Sequence, residues 1–191
     1  MLYAADPEGS FWELNEPHPP LVELLDRDVV TVGRALDIGC GLGTQSIYLA
    51  ERGFSVDGID FQEKPLARAR TRASQSGADC RFEWADVTQA TSRGPYDLII
   101  DRGCLHSLTG RALHRYSQNL QRWLAPGGYF QLTAFVWESL LERLTPVFTS
   151  RLSAANIDRL FSWLELVEKK QFSEREFGQS KMFCYLFKAT E

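Results

Sequence analysis

Short apolar segments alternate along the chain with amphipathic ones. Apolar runs of strand length lie at residues 34–38, 54–60, 80–84, 96–101, 129–136, 164–172 and 182–188. Patterns of helical period, with capping residues or glycine stops, lie at residues 21–28, 44–52, 64–76, 110–124, 138–144 and 153–161. Alternating strands and helices, followed by a terminal pair of strands, predict an α/β protein: a three-layer sandwich around a mostly parallel sheet with an antiparallel edge.

Length and composition fit one compact domain of 191 residues, with 44% hydrophobic residues and a net charge of -4. The acidic balance argues against a nucleic-acid partner. The sequence contains neither a long apolar run nor a basic leader, and its four cysteines lack metal-ligand spacing, so we expect no membrane partner, no metal site and a cytoplasmic location. Four of the eight prolines fall in the first 20 residues, which sets residues 1–30 apart as an N-terminal segment and helix before a main domain, residues 31–191.

A glycine-rich loop follows the first predicted strand: Asp37, Gly39, Gly41 and Gly43 stand at alternate positions before Thr44. Such a loop lets the backbone approach a ligand closely. The dinucleotide fingerprint G-x-G-x-x-G fails here, because Thr44 occupies its third glycine position. Asp37 would also repel a diphosphate at close range. The loop therefore favours a zwitterionic or cationic ligand.

Two further acids end neighbouring strands. Asp60 lies 23 positions after Asp37, near the offset of about 20 residues at which a carboxylate accepts from both hydroxyls of a ribose. Asp86 follows the third strand, where it could accept from the exocyclic amine of adenine or simply begin a turn. In open α/β sheets, ligands bind at this edge.

These motifs, in this order, resemble those of the class I S-adenosylmethionine (SAM)-dependent methyltransferases over roughly residues 34–137. The other quoted matches are Tyr96 to Ile99 and Leu124 to Gly128. The resemblance implies a Rossmann-like, seven-stranded sheet with an antiparallel last strand, and SAM as cofactor. It places Asp37 near the methionine amino group, Asp60 on the ribose and Asp86 on adenine. The full set of predicted cofactor-binding residues is Trp12, Asp37, Gly39, Cys40, Gly41, Gly43, Asp60, Phe61, Ala85, Asp86, Val87 and Asp101.

A narrower resemblance covers about twenty residues. The segment from Trp12 to Leu21 and the loop from Asp101 to Leu108 are similar to segments of the small-molecule methyltransferases that act on thiopurines, halides and thiols, or heterocyclic toxins. Residues 11–20 carry Phe11 and Trp12 but too few periodic apolar positions for a core element, so within residues 1–30 we expect a lid over the ligand, with Trp12 near the sulfonium or the substrate; a strap on the outer helices is the alternative. Two catalytic candidates follow the fourth strand: His106 as a base, or as a buried histidine of structural role, and Arg102 as an anchor for an anionic substrate, or as a surface ion-pair partner.

The predicted function is transfer of a methyl group from SAM to a small molecule, an aromatic, heterocyclic or thiol compound that attacks through sulfur, nitrogen or oxygen. The alternative is a SAM-binding sensor or partner protein without turnover. An NAD-dependent oxidoreductase is disfavoured by Thr44 and Asp37. We expect a monomer or a weak homodimer that binds a small-molecule methyl acceptor.

Overall fold

The computed structural model describes residues 13, 15–89, 94–137, 152–172 and 182–190. Within these residues the chain forms a seven-stranded sheet in the order β3-β2-β1-β4-β5-β7-β6. The strands are β1 (Arg34–Ile38), β2 (Ser55–Asp60), β3 (Cys80–Trp84), β4 (Tyr96–Arg102), β5 (Leu124–Phe135), β6 (Leu164–Phe172) and β7 (Met182–Ala189). The pairs among β1 to β5 are parallel, whereas β7 runs antiparallel to both β5 and β6. The predicted three-layer fold with an antiparallel last strand is confirmed.

Helices cover both faces of the sheet. They are α1 (Pro19–Asp26), α2 (Thr44–Glu51), α3 (Glu63–Ser76), α4 (Arg111–Trp123) and α5 (Ala154–Leu160), with a 3-10 turn at Leu105–Ser107. Pro19 starts α1 without losing a hydrogen bond, since the first N–H groups of a helix have no internal acceptor. Ser153 caps α5 by accepting from the Asn156 N–H, and the Asn156 side chain accepts from Ser153 in return. No helix of the described part of the chain is long and apolar enough to cross a membrane.

The core lies on both faces of the sheet. One cluster, beneath α4 and α5, includes Ile99, Phe130 and Phe161. The opposite cluster contains Leu21 and Leu24 of α1 together with strand residues of β1, β2 and β4. Helix α1 therefore packs into the core of the main domain, and the lid expected within residues 1–30 stays a prediction for the residues before it.

The largest boundary difference concerns β5. The sequence predicts a helix ending at Leu124 and a strand starting at Tyr129, because Pro and Gly fill the positions between. In the structure Leu124 already pairs with Tyr96, and the register shifts before Tyr129 pairs with Leu98. The pairing of a neighbouring strand thus extends β5 through a turn-like sequence. The helix predicted over residues 138–144 lies outside the described residues.

Candidate cofactor and acceptor site

The carboxyl ends of β2, β1 and β4 lie side by side in the sheet and bring three aspartates to one edge. Asp60 ends β2, Asp37 lies next to the end of β1, and Asp101 lies next to the end of β4. All three are buried, with relative exposures of 6%, 2% and 1%. A buried carboxylate is costly unless a cation or hydrogen-bond donors surround it. The structure therefore concentrates negative charge at the edge where the sequence predicts the ligand.

Asp37 is the least compensated of these acids. Among the described residues its carboxylate accepts one hydrogen bond, from Ser46 Oγ of α2 at 2.7 Å. Burial raises the pKa of Asp37 to about 7, against the effect of the Ser46 hydrogen bond, and the neighbouring charges of Asp101, Asp60 and Glu13 raise it further. A cation beside Asp37 would remove this cost.

The glycine loop is fastened to β2 through its own backbone. The N–H groups of Gly39 and Cys40 donate to the Ile59 carbonyl at 2.8 and 3.1 Å, and the Gly43 N–H donates to the Cys40 carbonyl at 2.9 Å. The Gly41 N–H donates to Asp60 Oδ2 at 3.0 Å. A diphosphate needs free N–H groups in such a loop. These four N–H groups already have acceptors within the protein, so the structure also argues against a dinucleotide-binding loop.

Cys40 fills space behind the loop. Its buried side chain packs in a small cluster with Ala69 of α3 and Phe82 of β3. Burial raises the pKa of the Cys40 thiol, so the side chain is neutral and serves as a small apolar residue.

The Asp60 carboxylate accepts hydrogen bonds from the backbone of Gln62 and Phe61 as well as from that of Gly41. Its Oδ1 accepts from the Gln62 N–H at 2.9 Å, so the carboxylate joins the glycine loop to the β2–α3 connection. Burial raises the pKa of Asp60, although backbone hydrogen bonds from Gln62, Gly41 and Phe61 oppose the shift. The adjacent Phe61 side chain is 65% exposed. Large apolar surface left in water beside a cleft is typical of a ligand contact.

The residues after β3 are arranged differently. Asp86 Oδ1 accepts from the N–H and the hydroxyl of Thr88, both at 2.8 Å, and Oδ2 accepts from Gln89 Nε2 at 2.7 Å. Against the desolvation of partial burial, these bonds lower the pKa of Asp86. Val87 is buried and its carbonyl accepts from Asn119, while the Ala85 N–H donates to the Asp60 carbonyl. Asp86 thus organises a turn, and its contact with adenine stays a prediction.

Of the two catalytic candidates, Arg102 is the half-buried last residue of β4, and His106 lies in the turn that follows. His106 is part of the 3-10 turn, its ring centroid lies 5.2 Å from that of Phe135, and its Nδ1 is buried without a partner in the described structure. Burial, and to a lesser degree the charge of Arg102, lowers the pKa of His106 to about 4. The imidazole is therefore neutral at pH 7 and holds a free lone pair. Asp101 accepts hydrogen bonds from this turn, and its predicted contact with the cofactor stays a prediction.

The segment before α1 reaches the glycine loop. Glu13 Oε1 accepts from Thr44 Oγ1 at 2.8 Å, and the His18 N–H donates to Gln45 Oε1 at 2.9 Å. Arg72 of α3 donates to Thr44 Oγ1 at 3.0 Å. Sequence reasoning missed Glu13 and Ser46. Trp12 and Leu14 lie outside the described residues, so the predicted position of Trp12 stays a prediction.

The residues of this edge fit SAM. The cofactor carries a sulfonium and an ammonium, and the edge presents buried carboxylates that lack a cation, an exposed aromatic ring at Phe61 and a loop without a phosphate-binding function. In the described ranges no cluster of three or more His, Cys, Asp or Glu side chains could hold a metal. Fold and site together define a Rossmann-like protein with three buried carboxylates at the carboxyl edge of its sheet.

Comparison with known proteins points to the methyltransferases. Residues 35–128 match the model of a methyltransferase domain. The chain is 31% identical over 126 residues to 2-heptyl-1-hydroxyquinolin-4(1H)-one methyltransferase of Mycobacteroides abscessus, covering 65% of this chain and 55% of the relative. It is 33% identical over 106 residues to the ubiquinone biosynthesis O-methyltransferase of Dechloromonas aromatica, covering 54% and 44%. The chain thus spans about half the length of these curated relatives.

A solved structure adds evidence for the fold. The N-methyltransferase NodS of Bradyrhizobium japonicum, in complex with S-adenosyl-L-homocysteine (SAH), superposes with a TM-score of 0.75 at 21% identity, covering 90% of this chain and 85% of that one. Together the comparisons support a class I SAM-dependent methyltransferase, with the methyltransferase domain matched over residues 35–128.

Proposed function

We propose that this chain transfers the methyl group of SAM to a small aromatic or heterocyclic molecule that attacks through oxygen, sulfur or nitrogen. The observation that carries the proposal is the buried carboxylate of Asp37, which lies beside the glycine loop with one hydrogen-bond donor and no cation among the described residues. One relative is named as a methyltransferase of a hydroxyquinolone and another as an O-methyltransferase of ubiquinone biosynthesis. These names support a small-molecule acceptor.

Each residue of the edge then has a task. Asp37 pairs with the methionine ammonium, Asp60 accepts from the ribose hydroxyls, and Phe61 covers one face of adenine. When bound, SAM supplies a methyl group already activated by the sulfonium. The chain has to align the acceptor and exclude water. His106, on the turn after β4, accepts a proton from a hydroxyl acceptor, and Arg102, the last residue of β4, holds an acceptor anion.

Calorimetric titration with SAM and SAH tests the cofactor half of the proposal. We expect both to bind with dissociation constants well below 1 mM. A constant of 1 mM corresponds to a binding free energy of only about -4.1 kcal/mol. Labelled SAM is then incubated with 2-heptyl-1-hydroxyquinolin-4-one, a simple phenol, an aromatic thiol and an azaheterocycle. Labelled product with any of these supports the enzyme. Tight SAM binding without product from a wider acceptor panel would favour a sensor, and absence of binding would refute the proposal.

Replacing His106 by Asn should separate the acceptor types. Removal of a general base costs about 10²- to 10⁴-fold in rate when the attacking group must lose a proton. A hydroxyl acceptor at pH 7 is therefore expected to lose at least 100-fold in kcat/KM, whereas an acidic aromatic thiol, already ionised, loses little. The matched control is His114→Asn, an exposed histidine of α4. Equal loss with both acceptors would assign His106 a structural role.

The residues before α1 form a lid in this proposal. The contacts of Glu13 with Thr44, and of His18 with Gln45, attach the segment to the start of α2, directly after the glycine loop. Thr44, which excludes the dinucleotide fingerprint, gains a positive role here because its hydroxyl joins Glu13 to Arg72. A segment attached at this place can cover the cofactor cleft rather than the outer helices.

The Glu13→Ala variant should loosen that lid. Chymotrypsin is the suitable protease, because the first 26 residues contain Tyr3, Phe11 and Trp12 but neither Lys nor Arg. We expect cleavage in the ligand-free variant to be about ten-fold faster than in the wild type, since a hydrogen bond to a charged group contributes ~1.5–3 kcal/mol. SAH should slow cleavage of the wild type more than that of the variant.

Glu16→Ala is the control for charge, because Glu16 is exposed and its contact with Gln45 uses the backbone carbonyl. Cleavage at the same rate in all three proteins, with or without SAH, would contradict the lid.

A further inference from the structure

Asp101 is the most completely bonded of the three edge acids. Its Oδ1 accepts from the Cys104 N–H at 2.7 Å, and its Oδ2 accepts from the Leu105 N–H at 3.0 Å and from Tyr116 Oη at 2.7 Å. Its relative exposure is 1%. A carboxylate with these bonds has little capacity left for a ligand, so its role lies within the protein.

The bonds of Asp101 form the start of the turn that carries His106. Gly103 takes a φ of 97°, which few side chains tolerate, and its N–H donates to the Thr133 carbonyl of β5 at 3.1 Å. Cys104 is the N-cap of the 3-10 helix and Leu105 is its first residue, so their N–H groups have no acceptor within it. Asp101 supplies that acceptor. Without the carboxylate, two N–H groups lose their partner in a largely buried place, which is costly.

Tyr116 comes from a different element. It lies on α4, 15 residues further along the chain, has a relative exposure of 0% and packs edge-on against Phe161 with ring centroids 6.4 Å apart. Its ring is therefore fixed by the core, and its hydroxyl has a defined position. The hydrogen bond to Asp101 connects this rigid helix to the end of β4 and to the turn.

We propose that Asp101 and Tyr116 form a positioning pair which holds the turn of Cys104 and His106, directly after Arg102, in place for the acceptor, and that the ionised carboxylate is required for it. The proposal rests on the methyltransferase function above, since it assigns the turn to the acceptor. An ionised carboxylate accepts from three donors at once, whereas a protonated acid places a hydrogen against one of them. Tyr116 is thereby a positioning residue and does not touch the acceptor.

The charges around the pair set its pH dependence. The titratable groups that face Asp101 are Tyr116 from α4, Cys104 from the turn and Asp37 from the neighbouring β1. Burial raises the pKa of Asp101 to about 6, while the bonds from Tyr116, Cys104 and Leu105 oppose the rise. Burial also raises the pKa values of Tyr116 and Cys104 well above their ordinary ranges, so both stay neutral.

The test is amide hydrogen exchange of Cys104 and Leu105 in the ligand-free protein, followed by NMR from pH 5 to pH 8 in wild type, Tyr116→Phe and Tyr48→Phe. Protection of both amides is expected to fall below about pH 6 in the wild type, as Asp101 takes up its proton. Loss of the tyrosine donor should move this midpoint upward by about one pH unit. Tyr48→Phe is the control: it removes a hydroxyl of α2, far along the chain from Asp101, that accepts from Arg52. This variant should leave the midpoint unchanged.

Asp101→Asn gives a second measurement that needs no titration. Its amide cannot accept through both atoms, so protection of the Cys104 and Leu105 amides should be reduced at every pH, while amides of β1 stay protected. An unmoved midpoint in folded Tyr116→Phe, or full protection in Asp101→Asn, would overturn the proposal.

Turnover provides the link to function. With whichever acceptor of the panel the wild type methylates, the acid limb of kcat should shift upward in Tyr116→Phe, with the dissociation constant of SAH unchanged. Absence of turnover in the wild type would instead count against the proposed function, because the exchange experiment does not depend on an acceptor.

Discussion

At pH 8 the ligand-free Asp37→Asn protein is expected to unfold at a higher temperature than the wild type and to have lost its affinity for SAM. The reason lies in the burial of Asp37, which has a relative exposure of 2%. Burial raises its pKa to about 7 from an ordinary value of 3.8, in spite of the hydrogen bond from Ser46. An unfolded chain ionises this group near pH 4 and the folded chain only near pH 7.

The sign follows from that order. A raised pKa in the folded state means that the group contributes stability below about pH 4 and that this contribution is lost as the pH rises through 7. At pH 8 the charged, buried carboxylate costs roughly 4 kcal/mol relative to the same group in the unfolded chain, from 1.36 kcal/mol per pKa unit. Asn keeps an acceptor for Ser46 and carries no charge, so the variant escapes the cost. The same change removes the anion that pairs with the ammonium of SAM, for which a loss of about 3–5 kcal/mol, or more than 100-fold in affinity, is expected.

Thermal unfolding at pH 5 and pH 8, together with calorimetric titration of SAM, measures both effects. The wild type should lose stability from pH 5 to pH 8 and regain it when SAM is added, while Asp37→Asn should respond less to either change. Asp79→Asn removes the same charge from an exposed position and serves as the control. A lower unfolding temperature of Asp37→Asn at pH 8, or undiminished SAM binding, would show that the buried charge is not maintained for the cofactor.

The fold was largely predictable because the periodicity of apolar residues is local information. Strand β4 has three consecutive apolar residues, Leu98 to Ile100, and occupies a central place in the sheet, as strongly apolar strands do. Residues 124–128 show where local information ends. Their Pro and Gly indicate a turn, yet pairing with β4 draws Leu124 into the sheet, and only the neighbouring strand could have shown this.

The sequence predicts the chemical character of the site better than the hydrogen bonds among its side chains. Acids at strand ends mark the ligand edge, and Asp37 and Asp60 lie there. The side chains that bond to the edge acids come from other elements: Ser46 in α2 resembles any polar helix residue, and Tyr116 in α4 resembles any core aromatic. The sequence groups Asp101 with the cofactor residues, a role that stays a prediction, and it gives no sign of the bonds by which this carboxylate caps a turn. Such roles depend on tertiary distances that spacing along the chain does not contain.

The glycines of the loop also have one explanation from the sequence and another from tertiary packing. Gly43 allows the two explanations to be tested. The sequence explains Gly43 by close approach of a ligand. In the structure its φ is 78°, and a Cβ there would lie 2.7 Å from Phe82 Cζ and 3.0 Å from Ala69 Cβ. Neighbouring β3 and α3 therefore forbid a side chain at this position even without ligand.

Gly43→Ala is accordingly expected to lower both stability and SAM affinity. A left-handed conformation costs a residue with a Cβ about 1–2 kcal/mol, and overpacking adds about 1–3 kcal/mol. Moving Gly43 to relieve the overlap also displaces Thr44 and the backbone beneath the cofactor. We expect the unfolding temperature to fall by roughly 5–15 °C and SAM affinity by at least about ten-fold.

Gly77→Ala is the matched control, because Gly77 has a φ of 70° and no atom within 4 Å of the position a Cβ would take. It should show the conformational cost alone, with SAM affinity unchanged. Shortening the clashing ring in the double variant Gly43→Ala, Phe82→Leu should restore part of the SAM affinity, since Phe82 Cζ is the nearest obstacle. If Gly43→Ala behaves like Gly77→Ala, the loop has room for a side chain and the packing of Phe82 and Ala69 does not hold it in place.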